Sequence, residues 1–125
     1  MNFAQLKNLK EYNIMKNLYK YFKAPFYTDD YYMYIFDSNN QVMFDILDNN
    51  EQKIDMIIDC LNDESEYKFA NVSINGENID IDNKPILCVR GFGYLTGAGA
   101  LGLSNEDAIE IQKDMLEFVK NEITK

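Results

Sequence analysis

Five of the chain's six glycines fall in one run, Arg90-Gly91-Phe92-Gly93-Tyr94-Leu95-Thr96-Gly97-Ala98-Gly99-Ala100-Leu101-Gly102. Glycine permits positive φ and leaves the backbone amide bare. A helix start at Ser104 would add free N–H groups and the positive end of the helix dipole. The chemistry such a segment could perform is the cradling of an anion. Arg90 is the only arginine beside eleven lysines. Its planar fork suits two-point contact with a carboxylate or phosphate of a ligand, and equally an internal ion pair to an acidic residue. The candidate ligand- or partner-binding residues are therefore Arg90, Gly91, Phe92, Gly93, Tyr94, Thr96, Gly97, Gly99 and Ser104.

The run Gly97-Ala98-Gly99-Ala100-Leu101-Gly102 matches G-x-G-x-x-G. In the dinucleotide fold that motif follows the first strand, opens the helix and leads on to a parallel strand. Here the helix starts only after the motif, with no strand beyond it, and no Gly-Lys-Ser/Thr of a phosphate loop follows. Dinucleotide binding is not expected. The other reading is structural: the glycines let the loop cross close over a sheet, with Phe92, Tyr94 and Leu95 packed inward.

Elsewhere the residue types argue against catalysis. The chain has no histidine, which removes the commonest general base, the Ser-His-Asp and Cys-His arrangements and most zinc sites. Cys60 and Cys88 lie in separate apolar stretches and read as reduced, buried thiols. Asn78-Ile79-Asp80-Ile81-Asp82 superficially has calcium-loop spacing, but Asn83 stands where glycine is needed and Val89 where glutamate is needed. A solvated strand face with Ile79 and Ile81 inward is expected instead. No catalytic residue, metal or cofactor is assigned. Tyr31 to Tyr34, with Tyr19, Tyr21 and Tyr27 nearby, suggest an aromatic surface of the kind found at interfaces, or a core strand whose hydroxyls reach the rim.

The elements that would position these residues read as follows. Phe3 to about Lys23 is helical, with a stripe of Phe3, Leu6, Leu9, Ile14, Leu18, Tyr21 and Phe22, an Asn2 cap and Pro25 as a stop. Tyr31–Phe36 and Gln41–Leu47 flank Asp37-Ser38-Asn39-Asn40 as a hairpin. Asn49 or Asn50 caps a short helix with Ile54, Ile57, Ile58 and Leu61 on one face. Strand-like stretches follow at Tyr67–Ile74, Asn78–Ile81 and Pro85–Val89, with turns at Asn75-Gly76 and Asp82-Asn83-Lys84. Ser104 caps the last helix in a capping-box pattern with Asp107. Ala108, Ile111, Met115, Phe118 and Val119 face inward, flanked by Ile109, Leu116 and Ile123. The expected fold class is α+β: an antiparallel sheet of four to five strands with an N-terminal, a middle and a C-terminal helix packed on one face. Residues 1–125 form one domain.

Composition agrees. At 46% hydrophobic and 14% aromatic the chain can bury a core, so disorder is not expected. No apolar run approaches the roughly 18 residues of a membrane span, and the N-terminus lacks a signal-peptide core. A cytoplasmic location and no membrane partner are expected. Net charge is −9, unevenly spread. Residues 1–24 hold five lysines against Glu11, and the remaining seven basic residues face twenty acidic ones. That acidic body would repel a phosphate backbone, which disfavours nucleic acid.

Arg90-Gly91-Phe92-Gly93-Tyr94-Leu95-Thr96-Gly97-x-Gly99, followed by Leu103, Ala108 and Ile111-Gln112, resembles small uncharacterised accessory proteins of bacteriophages and prophages carrying an Arg-Gly-aromatic-Gly-x-Leu-Thr-Gly motif. The resemblance covers about the last 40 residues, with a weaker echo at residues 31–47. The chain departs from it in having Phe92 where tryptophan is commoner and Lys113 where an acidic residue follows the glutamine. The resemblance implies a host-cell setting, with action by binding host machinery or host defence, and implies no mechanism. The first expectation is a non-enzymatic binding protein with a host-protein or small-ligand partner. The alternatives are a nucleotide- or phosphate-binding protein, sponge or enzyme, using the loop and Arg90, and a structural component that assembles as a homo-oligomer.

Overall fold

The computed structural model describes residues 3–125, with the side chains of residues 3–8, Glu11 and Phe92 outside the description. The expected Asn2 cap and the inward roles of Phe3 and Leu6 lie outside the described residues. Helix α1 (Phe3–Tyr19) leads through short strands β1 (Tyr27–Thr28) and β2 (Tyr34–Phe36) to β3 (Val42–Ile46) and helix α2 (Glu51–Leu61). Strands β4 (Val72–Asn75), β5 (Asn78–Ile81) and β6 (Lys84–Val89) follow, then a four-residue helix α3 (Phe92–Leu95) and the long α4 (Asn105–Ile123). The fold is α+β.

All six strands join one open antiparallel sheet in the order β1-β2-β3-β6-β5-β4. The count exceeds the expected four to five because Tyr27 and Thr28 pair with Phe36 and Ile35. Cross-strand partners share a face. Ile35, Phe44, Val89, Ile46, Leu87, Ile79 and Ile74 therefore line one side, where the core sits. Two bulges thicken that side. The register slips beside Met43 and beside Ile86, and each joins its neighbour, Phe44 or Leu87, in full burial.

Helix α4 covers this side. It crosses β4, β5 and β6 and meets α1, α2 and α3. Its inward residues Ala108, Ile111, Met115, Leu116, Phe118, Val119 and Ile123 are all buried, and Ile109 is exposed. Ser104 Oγ accepts from the Asp107 backbone N–H at 3.2 Å, so the expected cap forms. In α2 the cap is Asn50, whose side chain accepts from Lys53 N. Ile54, Ile57, Cys60 and Leu61 are buried there, with Ile58 at the margin.

Three expectations are corrected. The first helix ends at Tyr19, not near Lys23; Tyr21 and Phe22 follow in a turn bonded back to Leu18 O. Ile14, Leu18 and Phe22 are buried, but Leu9 is exposed. Tyr31–Met33 is a turn, because the Asp29 carboxylate accepts from Met33 N and Tyr34 N at 2.8 and 3.0 Å and claims the amides a ladder would use. The β4 stretch starts at Val72 rather than Tyr67; upstream, Phe69 pairs in parallel with Thr124, which ties the chain's end to the sheet edge.

Candidate functional site

Arg90 continues β6 by one residue, its N–H donating to Met43 O at 3.0 Å. Alternation turns its side chain to the face opposite the core. There it donates to Asp45 Oδ1 at 3.0 Å, and the rings of Tyr34 and Tyr94 stand 5.6 and 5.4 Å from the guanidinium carbon. Both partners of the ion pair stay about one-third exposed, 34% and 38%. The ion pair, worth up to about 1 kcal/mol at such exposure, and the cation–π contacts, about 0.5–1 kcal/mol each, hold a side chain in place without burying it.

The row extends along the hairpin. Tyr34 meets Phe36 edge-on at 6.1 Å, and Phe36 stacks on Tyr27 at 5.2 Å with planes 15° apart. Tyr27, Phe36, Tyr34 and Arg90, joined by Tyr94 reaching in from α3, thus form one continuous strip on the face of the sheet opposite α4. Tyr27 OH is further bonded to Asn40. Asp45 pairs across the strands with Tyr34 on one side and Cys88 on the other.

The glycine-rich segment positions this row. Gly91 starts α3, and Tyr94 N returns to Gly91 O at 3.0 Å. Leu95 is fully buried and Tyr94 half-buried; the Phe92 side chain lies outside the described residues. The chain then folds back on itself. Gly97 N donates to Leu103 O, Leu103 N to Leu95 O and Gly99 N to Thr96 O, at 3.0, 2.8 and 2.7 Å. Gly97 and Gly102 take positive φ. At Gly99 a Cβ would stand 2.5 Å from both Gly93 O and Tyr94 O, and 2.8 Å from Thr96 O. Hence Gly99 is required by close backbone approach, and the amides of Gly97, Gly99 and Leu103 are spent inside the loop. At the next helix start, Ser104 caps Asp107, while Glu106 and Asp107 place two acidic side chains in the first turn. Gln112 of α4 donates to Arg90 O at 3.2 Å, locking helix to strand end.

The structure therefore joins Arg90 and Tyr94 in one strip. Gly91, Gly93, Thr96, Gly97 and Gly99 form the turn that delivers Tyr94, and Ser104 serves as a cap. Phe36 and Asp45 were not singled out from the sequence. Alternation with Tyr34 was the available signal for Phe36, and a lone carboxylate within Val42-Met43-Phe44-Asp45-Ile46 was the signal for Asp45. Of the tyrosines expected to share an aromatic surface, Tyr34 and Tyr27 join the strip, whereas Tyr31 stands exposed, Tyr32 bonds to Asp55 and Tyr19 packs on Phe118. Asp80 is buried, its Oδ2 accepting from Asn75 Nδ2 at 3.3 Å, rather than lying on a solvated face.

Both thiols are free, Cys60 buried as expected but Cys88 only half-buried, since it shares the outer face of the sheet with Asp45. Burial pushes the Cys60 thiol up, with Asp59 and Glu122 adding to the shift against Lys68 and Ser65. Burial likewise raises Cys88, helped by Glu77 and Asp45. Neither is primed as a thiolate. Among the described residues no group of three histidine, cysteine or acidic residues could hold a metal ion. No described helix is long and apolar enough to cross a membrane. Set against family models, curated proteins and solved structures, the chain finds no match in any of the three.

Proposed function

We propose that this chain is a non-enzymatic binding protein of the bacteriophage accessory type, and that it contacts a host protein through the Tyr27–Phe36–Tyr34–Arg90–Tyr94 strip. The observation that carries the reading is the strip itself. Aromatic residues and arginine are the types most enriched where proteins meet. Here they form a prearranged line on the sheet face opposite α4, completed by Tyr94 from α3. A line on a surface fits a protein better than a small molecule, which binds in a concave pocket. Two raised thiols and the lack of histidine favour binding over catalysis. The spent loop amides and the acidic first turn of α4 favour a protein partner over a phosphate ligand.

The test is crosslinking mass spectrometry of the chain in lysate of a bacterial host, comparing wild type with Arg90→Ala and Tyr34→Ala. Each variant loses only part-exposed contacts, of about 1–3 kcal/mol together for Arg90→Ala and less for Tyr34→Ala, so it should remain folded by circular dichroism. A partner crosslinked at the strip and lost in both variants is the expected result. A partner retained at full strength by both would place the binding surface elsewhere. A rise in melting temperature with inorganic phosphate or nucleotides, abolished by Arg90→Ala, would overturn the protein-partner reading in favour of phosphate binding.

A further inference from the structure

Helix α1 has two apolar stripes where one would bury it. Ile14 and Leu18 face the core and are buried. On the outside, Tyr12, Met15, Lys16 and Tyr19 recur at i, i+3, i+4 and i+7, and with Lys20 they bound an open groove of about 450 Å³. Tyr12 is 61% exposed and Tyr19 40%. Among the described residues no acidic side chain lines the groove, although Glu122 and Asp63 act on Tyr19 from beside it. Its tyrosines and two lysines suit an occupant with apolar side chains flanked by negative charge, although Lys20 also borders a pocket with Asp107, Glu110 and Asp114.

The same chain carries such a surface. In the turn before β2, the Asp29 carboxylate holds Met33 N and Tyr34 N, and Tyr32 N closes on Asp29 O at 3.1 Å. Tyr32 is folded toward α2, its OH donating to Asp55 Oδ1 at 2.8 Å. Its neighbours are thereby thrown outward: Tyr31 is 83% exposed and Met33 52%. Asp30, Glu51 and Asp55 are exposed around Tyr32 and push its hydroxyl above the ordinary tyrosine value, the Asp55 hydrogen bond foremost. A fixed turn with two projecting apolar side chains and an acidic border complements a basic apolar groove.

The two surfaces cannot meet within one molecule by a small movement. The residues after α1 are bonded to the far turn of the β2–β3 hairpin, Gln41 Nε2 to Tyr21 O and Lys23 N to Asp37 Oδ2. The Asp29–Met33 turn lies at the other end of β2. We propose that two copies of this chain associate head-to-tail, the α1 groove of one seating Tyr31 and Met33 of the next, with Lys16 and Lys20 against Asp30 and Glu51. Repeated in one direction the contact is heterologous and builds rings or open chains, whereas two copies making it reciprocally close a two-fold dimer. Neither surface uses a residue of the aromatic strip, so the proposal stands apart from the reading above.

Sedimentation velocity over a wide concentration range tests it. The full chain should exceed monomer mass as concentration rises, and the apparent dissociation constant should weaken by about tenfold between low and high salt. Lys16→Glu with Lys20→Glu should give monomer, and so should Asp30→Lys with Glu51→Lys. All four positions are exposed, so far-ultraviolet circular dichroism should match wild type. A chain carrying both reversals should associate again. A wild type that stays monomeric, association that survives either reversal, or failure of the combined chain to recover would each overturn the proposal. So would a monomer that instead co-sediments with phosphatidylserine vesicles through Lys16 and Lys20.

Discussion

Gly99 shows how one position sets the site. Its missing Cβ leaves room for three carbonyl oxygens, those of Gly93, Tyr94 and Thr96, and all three belong to backbone that cannot swing aside. Gly99→Ala should therefore cost about 1–3 kcal/mol or more, the scale of an overpacked interior, read as a lower urea midpoint. The Tyr94 ring should shift with it. Gly93→Ala meets open space and ordinary φ, and should stay within about 0.5 kcal/mol of wild type. Equal losses at both positions would mean that the loop does not pack as described. The five glycines of one run are thus unequal: Gly99 is held by close approach, Gly97 and Gly102 by positive φ, and Gly91 and Gly93 by neither.

Among the elements, β1 depends least on its own sequence. Two residues cannot hold a strand, and Tyr27-Thr28 is fixed from outside. Asn62, at the end of α2, accepts from Phe26 N and donates to Phe26 O, both at 2.8 Å. Asn62→Ala should cost about 1–3 kcal/mol, since it strands both backbone groups, and hydrogen exchange at Phe26 should rise more than at β5. Uniform exchange across the sheet would contradict this local role. The same dependence explains what could be read in advance. Helices α2 and α4 were legible because caps and periodicity both sit in their own residues, Asn50 and Ser104 with the apolar faces that follow. So were the turns at Gly76 and at Asp82-Asn83, where positive φ calls for such residues. Strand β1 and helix α3 were not, since distant partners make them. Tyr31–Met33 misled because β-propensity is weak against a neighbouring carboxylate that captures the amides. Within the site, Arg90 and Tyr94 were legible by composition, but their meeting with Tyr34 and Asp45 depends on a strand register no local pattern encodes.

For the whole molecule, acidic groups pull stability in opposite directions with pH. Burial raises the Asp114 carboxyl above its ordinary value; Glu110 and Glu117 add to this, while an Asn17 hydrogen bond opposes it. Its folded form holds the proton more tightly than the unfolded chain, so its contribution is present below the unfolded value and lost as pH rises through the folded one. Asp48 is the reverse. The Asn50 N–H, then Lys53 and Lys84, hold it low against burial, so its contribution is lost as pH falls. Asp29 behaves likewise: burial alone would raise it, but the Tyr34 and Met33 N–H groups prevail. Asp114→Asn should therefore raise the melting temperature near neutral pH, with the gain fading in acid as wild-type Asp114 gains its proton. A gain that is the same at about pH 7 and about pH 4, the latter near the unperturbed carboxylate range, would show that charge is not its cause.

Helix α4 adds an ordering in time. It is the last element of this sequence to leave a ribosome, yet it shields β4, β5 and β6 and meets every other helix. Until it arrives, the apolar side of the sheet has no lid, and the hairpins can pair but not seal. The nascent chain therefore passes through a sticky interval set by elongation rate rather than by its own folding speed.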